Sequence, residues 1–177
     1  PARQRKIRFF LHFSTRCRDF AHHFLPITLH GGIIMNSDYT FLEAIHLIID
    51  FYTSPKGYFI DEDFEYPEVR KFIDAGCASL GEEHKEKYLL NEKGTSILHP
   101  YIEEISSKFI QFMERKQNTA TIKETENWFS KQYSLDSETS REICNYICLN
   151  LPTYGYTVIL SQPNIGGDFY RIERCNR

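Results

Sequence analysis

Motifs that announce chemistry are missing from this sequence. No Ser, Cys or His sits in a nucleophile motif, and no glycine-rich loop joins a strand to a helix where it would cradle a phosphate. The adjacent Gly166 and Gly167 separate two strand-like segments and read as a turn. His46, His84 and His99 stand apart from one another in the chain. His46 borders the apolar face of a helix and reads as a packed or half-exposed histidine. These absences point away from an enzyme.

Long apolar runs are also missing, and none approaches the roughly 20 residues of a membrane-spanning helix. No membrane association is expected. The five cysteines (17, 77, 144, 148 and 175) form no spaced framework, and an odd count suits reduced thiols in a cytoplasm. Cys144 and Cys148 share a helix side, but neither a second Cys pair nor a His pair is spaced to complete a zinc site. No metal and no cofactor is expected.

What the sequence has in excess is aromatic: 14 Phe and 11 Tyr against a single Trp, in a chain that is 41% hydrophobic. That is enough to build a sizeable core in one mid-sized domain or two small ones. The net charge of −3 is unevenly spread: residues 1–34 carry +5, residues 35–117 carry −7 and residues 118–177 carry −1. The apolar stretch of the basic segment is interrupted by Arg16, Arg18 and Asp19, which does not suit a secretory signal, and the segment's His, Pro and Gly content does not suit a helical presequence. Gly31-Gly32-Ile33-Ile34-Met35 can be encoded by a purine-rich ribosome-binding site just ahead of a start codon. The expectation is a bacterial protein that starts at Met35, with residues 1–34 a translated leader and a net charge of −8 for the remainder.

From Asp38 to Thr53, Phe41, Ile45, Ile48 and Tyr52 recur at helical spacing, and Ser37 or Asp38 is placed to cap that helix. An acidic connection follows (Asp61, Glu62, Asp63, Glu65, Glu68), read as a solvated loop. Pro67 opens a short helix that Gly76 ends. Cys77–Leu80 and Lys87–Leu90 read as two strands around a charged tip. Asn91 is then expected to cap a helix directly, with Gly94 allowing that helix to lie close to a neighbour. Pro100 is expected to begin a fresh helix over about 101–117, striped by Ile102, Ile105, Phe109, Phe112 and Met113.

Residues 114–121 read as a boundary, dividing a domain over 35–117 from a second unit over 118–177. In the second unit, Thr121 with Glu124 and Thr139 with Glu142 have capping-box spacing, with "SLDS" as the turn between two helices. The inner faces are Ile122, Phe129 and Tyr133 on the first helix, and Ile143, Tyr146, Ile147 and Leu151 on the second. Strands over 156–160 and 169–174 complete the unit. The fold class expected is α+β, mostly helical, with two consecutive helix–helix–hairpin units.

The stretch Val69–Leu98, with its Ala75-Gly76, hairpin and Leu90-Asn91-Glu92-Lys93-Gly94, resembles the MarR- and PadR-type winged-helix regulators. The resemblance covers about 30 residues. It implies tandem winged-helix-like units with two-stranded wings, DNA binding in transcriptional regulation, and a homodimer formed through the helix over 101–117. The second unit resembles a winged helix more loosely. Its proportions are those of a helix-turn-helix, and the outward side of its second helix is expected to carry Glu138, Arg141, Asn145 and Cys148, with Ser140 nearer the edge. Arg and Asn can read guanine and adenine in the major groove. Lys131, Arg171 and Arg174 are candidate phosphate contacts, with Gln162 and Asn164 at the wing tip. The alternative is an acidic module that contacts another protein, drawing on the −7 middle segment and on Tyr52, Tyr58, Phe59, Phe64, Tyr66 and Trp128.

Overall fold

The computed structural model describes residues 38–53, 58–59, 66–81, 87–161 and 168–175. These belong to one compact unit, Ile34–Arg177. It is α+β and mostly helical. Among the described residues, no helix is long and apolar enough to cross a membrane.

Helix α1 (Phe41–Tyr52) begins two to three residues later than the sequence suggests, with Thr40 as its cap. Thr40 and Glu43 satisfy each other reciprocally: Glu43 N–H donates to Thr40 Oγ1 at 3.2 Å and Thr40 N–H to Glu43 Oε2 at 2.6 Å. Neither Ser37 nor Asp38 has that three-residue relation to a Glu. A two-residue strand β1 (Tyr58–Phe59) precedes α2 (Pro67–Asp74). Gly76, at φ +71°, closes α2 in a Schellman arrangement, with Cys77 N–H on Phe72 O at 3.1 Å and Gly76 N–H on Ile73 O at 2.8 Å. Strands β2 (Ala78–Leu80) and β3 (Lys87–Leu90) follow, antiparallel, with Leu80 opposite Tyr88 and Ala78 opposite Leu90. β3 also pairs with β1, giving the order β1-β3-β2.

The β3-to-helix joint is as expected. Asn91 Oδ1 accepts the Gly94 N–H at 3.0 Å, while its Nδ2 donates to Gly76 O at 3.0 Å. One side chain therefore caps the next helix and ties it to the end of α2. A Cβ at Gly94 would lie 2.1 Å from the Cys77 carbonyl oxygen, so only glycine lets the first turn sit this close.

Helix α3 (Glu92–Arg115) runs unbroken through Pro100, so the expected fresh helix does not exist. A mid-helix proline costs about 3 kcal/mol. Against that cost stands one continuous buried stripe from Gly94 and Leu98 through Tyr101, Ile102, Ile105 and Phe109 to Met113. Each buried side chain of that kind contributes roughly 1.5–3 kcal/mol, so continuity wins. The stripe is spent inside the chain. Phe41 packs edge-on to Tyr101, and Phe109 lies 5.3 Å from Phe129 and 5.8 Å from Trp128. The seam expected to face a second subunit is thus a core seam joining α3 to α1 and α4 (Ile122–Tyr133).

Asn118 and Gln117, both at positive φ, turn the chain from α3 into β4 (Thr119–Thr121). Then come α4, α5 (Ser137–Asn150), a 3₁₀ turn (Leu151–Tyr154), β5 (Tyr156–Ser161) and β6 (Phe169–Arg174). β6 lies between β4 and β5, antiparallel to both. Tyr52 of α1 meets Tyr146 of α5 at 5.4 Å, and one buried cluster extends from Tyr39 to Ile172. The segments on either side of residue 118 therefore share a single core.

Candidate nucleic-acid interface

Helix α5 is positioned by its N-terminus. Thr121 caps α4 through the expected box with Glu124. For α5 the expected Thr139–Glu142 box does not form. Asp136 takes that role, its Oδ1 accepting Glu138 N–H at 2.8 Å and Thr139 N–H at 2.9 Å, with Thr139 Oγ1 donating to Oδ2 at 2.7 Å. A carboxylate that meets two free N–H groups and a hydroxyl outcompetes a hydroxyl one turn further on. Those hydrogen bonds also hold the Asp136 carboxyl below its ordinary pKa. Between the helices, Ser134 adopts a left-handed conformation (φ +59°), and Ser130 Oγ donates to Leu135 O at 2.7 Å.

The inward side of α5 is Ile143, Tyr146 and Ile147, continued by Leu151. Cys144 and Cys148 are also buried, which corrects the expectation that Cys148 faces outward. The Cys144 thiol and burial together push the Cys148 thiol up. Ser140 is fully buried and its Oγ donates to Asp136 O at 2.6 Å, so it braces the first turn and is not at the surface. Glu138, Arg141, Asn145 and Leu149 form the exposed line, with Leu149 70% exposed. Arg141 lies 3.8 Å from Glu138 and its side chain is 58% exposed.

The β5–β6 hairpin stands beside this helix. Val158, Leu160, Tyr170 and Ile172 share one face of the sheet, and Thr157, Ile159, Arg171 and Glu173 the other. Tyr170 Oη donates to Asn145 Oδ1 at 3.1 Å, and burial pushes the phenol's pKa up so that it stays a donor. Tyr170 escaped the sequence reading, although its alternation with Ile172 marks it as inward-facing. Leu149 escaped as well, although it continues the 141–145 spacing.

The remaining candidate cations divide. Lys131 is exposed near the end of α4. Arg171 is exposed on the outer sheet face and pairs with Glu173 at 2.9 Å. Arg174 is drawn to the base of the hairpin, its Nε donating to Tyr156 Oη at 3.1 Å and its Nη2 lying 3.5 Å from Glu114 of α3. Gln162 and Asn164 lie outside the described residues, as does the charged tip of the first hairpin.

Glu68 belongs to no solvated run. It is buried and accepts from His46 Nδ1 at 2.5 Å, with Tyr66 stacked on the imidazole at 4.4 Å. Residues 61–65 of the acidic connection lie outside the described residues. Of the aromatics considered for an interface, Tyr52 and Trp128 pack half-buried against the core. Phe64 and the side chains of Tyr58 and Phe59 are outside the described set. Among the described residues, no group of three or more His, Cys, Asp or Glu side chains is placed to hold a metal.

No protein-family model, no curated protein and no solved structure matches this chain.

Proposed function

We propose that the chain is a tandem winged-helix-like DNA-binding protein of the bacterial regulator kind, in which α5 enters the major groove and the β5–β6 hairpin is the wing beside it. One observation carries this reading. After α3 the chain runs strand, helix, tight turn, helix and hairpin, and the last strand returns beside the first, while the Arg141–Asn145 line of the second helix stays open to solvent. The first unit follows the same plan, α1, β1, α2 and a hairpin with β3 beside β1, with one helix where the second unit has two.

The chemistry of that line suits base reading. Arg141 can offer two donors to guanine, and Asn145 retains its free amide donors and a second carbonyl lone pair for adenine. The contact between Arg141 and Glu138 is an exposed pair, worth at most about 1 kcal/mol, so it does not withhold the guanidinium from a base. The phosphate contribution is small, because of the candidate phosphate contacts Lys131 and Arg171 are exposed while Arg174 is held by Tyr156 and Glu114, and Glu138 and Glu142 act against them. Two neutralised phosphates give a slope of log K on log salt of about −2.

The test is duplex binding by the chain from Met35 onward, which omits the +5 segment, across a salt series. Binding with that shallow slope supports the reading; no binding to a random duplex pool at low salt removes it. A second reading, contact with another protein, is favoured by Leu149, an apolar side chain 70% exposed on the same line. The same experiment separates the two, since a protein-contact face does not retain DNA.

A further inference from the structure

The two sheets have four edge strands among the described residues, and three of them are blunted. β1 has two residues, β2 three, and β4 three that lead straight into a helix. β5 has six, Tyr156–Ser161, and lies at the outside of its sheet with β6 on one side only. Its sequence, Tyr-Thr-Val-Ile-Leu-Ser, contains no charge, no proline and no glycine. Ile159 is 40% exposed and Leu160 is 50% exposed. Soluble proteins protect long edges with short strands, charges, prolines or bulges, because unpaired N–H and C=O groups are a template for another strand. β5 has none of these protections.

We propose that β5 is a self-association edge, which pairs antiparallel with β5 of a second copy of this chain to make one continuous six-stranded sheet. Two antiparallel copies of one edge are related by a twofold axis perpendicular to the sheet, so matching faces stay on the same side. With Ile159 on the axis, Val158 lies opposite Leu160 of the second copy, and Thr157 opposite Ser161. The exposed flank of Leu160, which continues the row of Tyr170, is then covered by an apolar side chain. This self-complementary register is what selects a copy as the occupant. A second copy meets no charge conflict at this edge, because Tyr156–Ser161 carries no charge and brings no like charges together. The pairing uses the free edge of the hairpin and not the Arg141–Asn145 line, so it stands independently of DNA binding.

Sedimentation of the full chain over a concentration series tests this. The expected result is a monomer–dimer equilibrium that Ile159→Lys weakens by roughly tenfold or more, because two ammonium groups then face each other across the axis. Leu160→Lys, which sets a charge against Val158 of the second copy, is expected to weaken it as well and serves if the first variant folds poorly. Ile159→Lys mixed with Ile159→Glu is expected to restore the dimer. A wild-type chain that stays monomeric throughout overturns the proposal. So does a folded Ile159→Lys chain that dimerises like wild type, or a Lys/Glu mixture that fails to associate.

Discussion

Tyr170 Oη donates to Asn145 Oδ1 at 3.1 Å, which ties the middle strand of the second sheet to the outward line of α5. Tyr170→Phe removes this hydrogen bond while leaving the ring in place. The expected loss is about 1 kcal/mol of unfolding free energy by urea titration, with the secondary structure unchanged.

At the β3–α3 joint two substitutions are expected to differ in severity. Asn91→Ala loses the cap on Gly94 and the bond to Gly76 O, for a loss of about 1–2 kcal/mol. Gly94→Ala places a methyl 2.1 Å from a backbone oxygen, and backbone must move to admit it. Its cost is expected to exceed that of the cap, at about 3 kcal/mol or more. Chemical denaturation of the two variants side by side gives the order.

Phe109 is fully buried among Phe112, Trp128 and Phe129. Phe109→Ala is expected to cost about 3–5 kcal/mol and to change Trp128 fluorescence without releasing a subunit. A variant that kept its stability but changed oligomeric state would show that the α3 stripe is an intersubunit seam after all.

Asp50 Oδ2 is buried with no hydrogen-bond partner. Burial raises its pKa from 3.8 to about 6; His46 opposes the shift, and Glu68 and Glu142 add to it. Because the folded-state pKa lies above the unfolded one, the folded state binds more protons between about pH 4 and 6, and stability falls as pH rises through that window. After discounting for partial exposure the effect is on the order of 1–2 kcal/mol. Asp50→Asn is expected to flatten this part of the stability–pH curve and to be more stable than wild type at pH 7. Thermal melts of both chains at several pH values decide; an Asp50→Asn chain that gains no stability relative to wild type between pH 4 and 6, or is less stable than wild type at pH 7, would refute it.

The helices were readable wherever local signals agreed. Phe41, Ile45, Ile48 and Tyr52 have the period of α1, and Asn91 has a chemistry that only a strand-to-helix joint uses fully. The short strands β1 and β4 were not readable, because two or three residues show no alternation, and each exists only through pairing with a distant strand. Pro100 misled because its local cost is visible in the sequence, while the stripe that outweighs it depends on helices packed from elsewhere. Asp136 and Thr139 were both reasonable caps three residues apart, and the choice rests on how many donors each can meet. For the candidate interface, spacing placed Arg141 and Asn145 on an exposed line, as observed. It failed at Cys148, one residue from the exposed Leu149, and at Ser140, whose burial was not marked by its polarity.

The most direct test of α5 as a reading helix is the affinity of Arg141→Ala for a duplex selected by the wild-type chain, at one fixed salt concentration. The expected result is a loss of about 1–3 kcal/mol, roughly 5- to 150-fold in Kd, with discrimination relaxed at one base pair. An unchanged Kd in a variant that is still folded would contradict DNA recognition by α5.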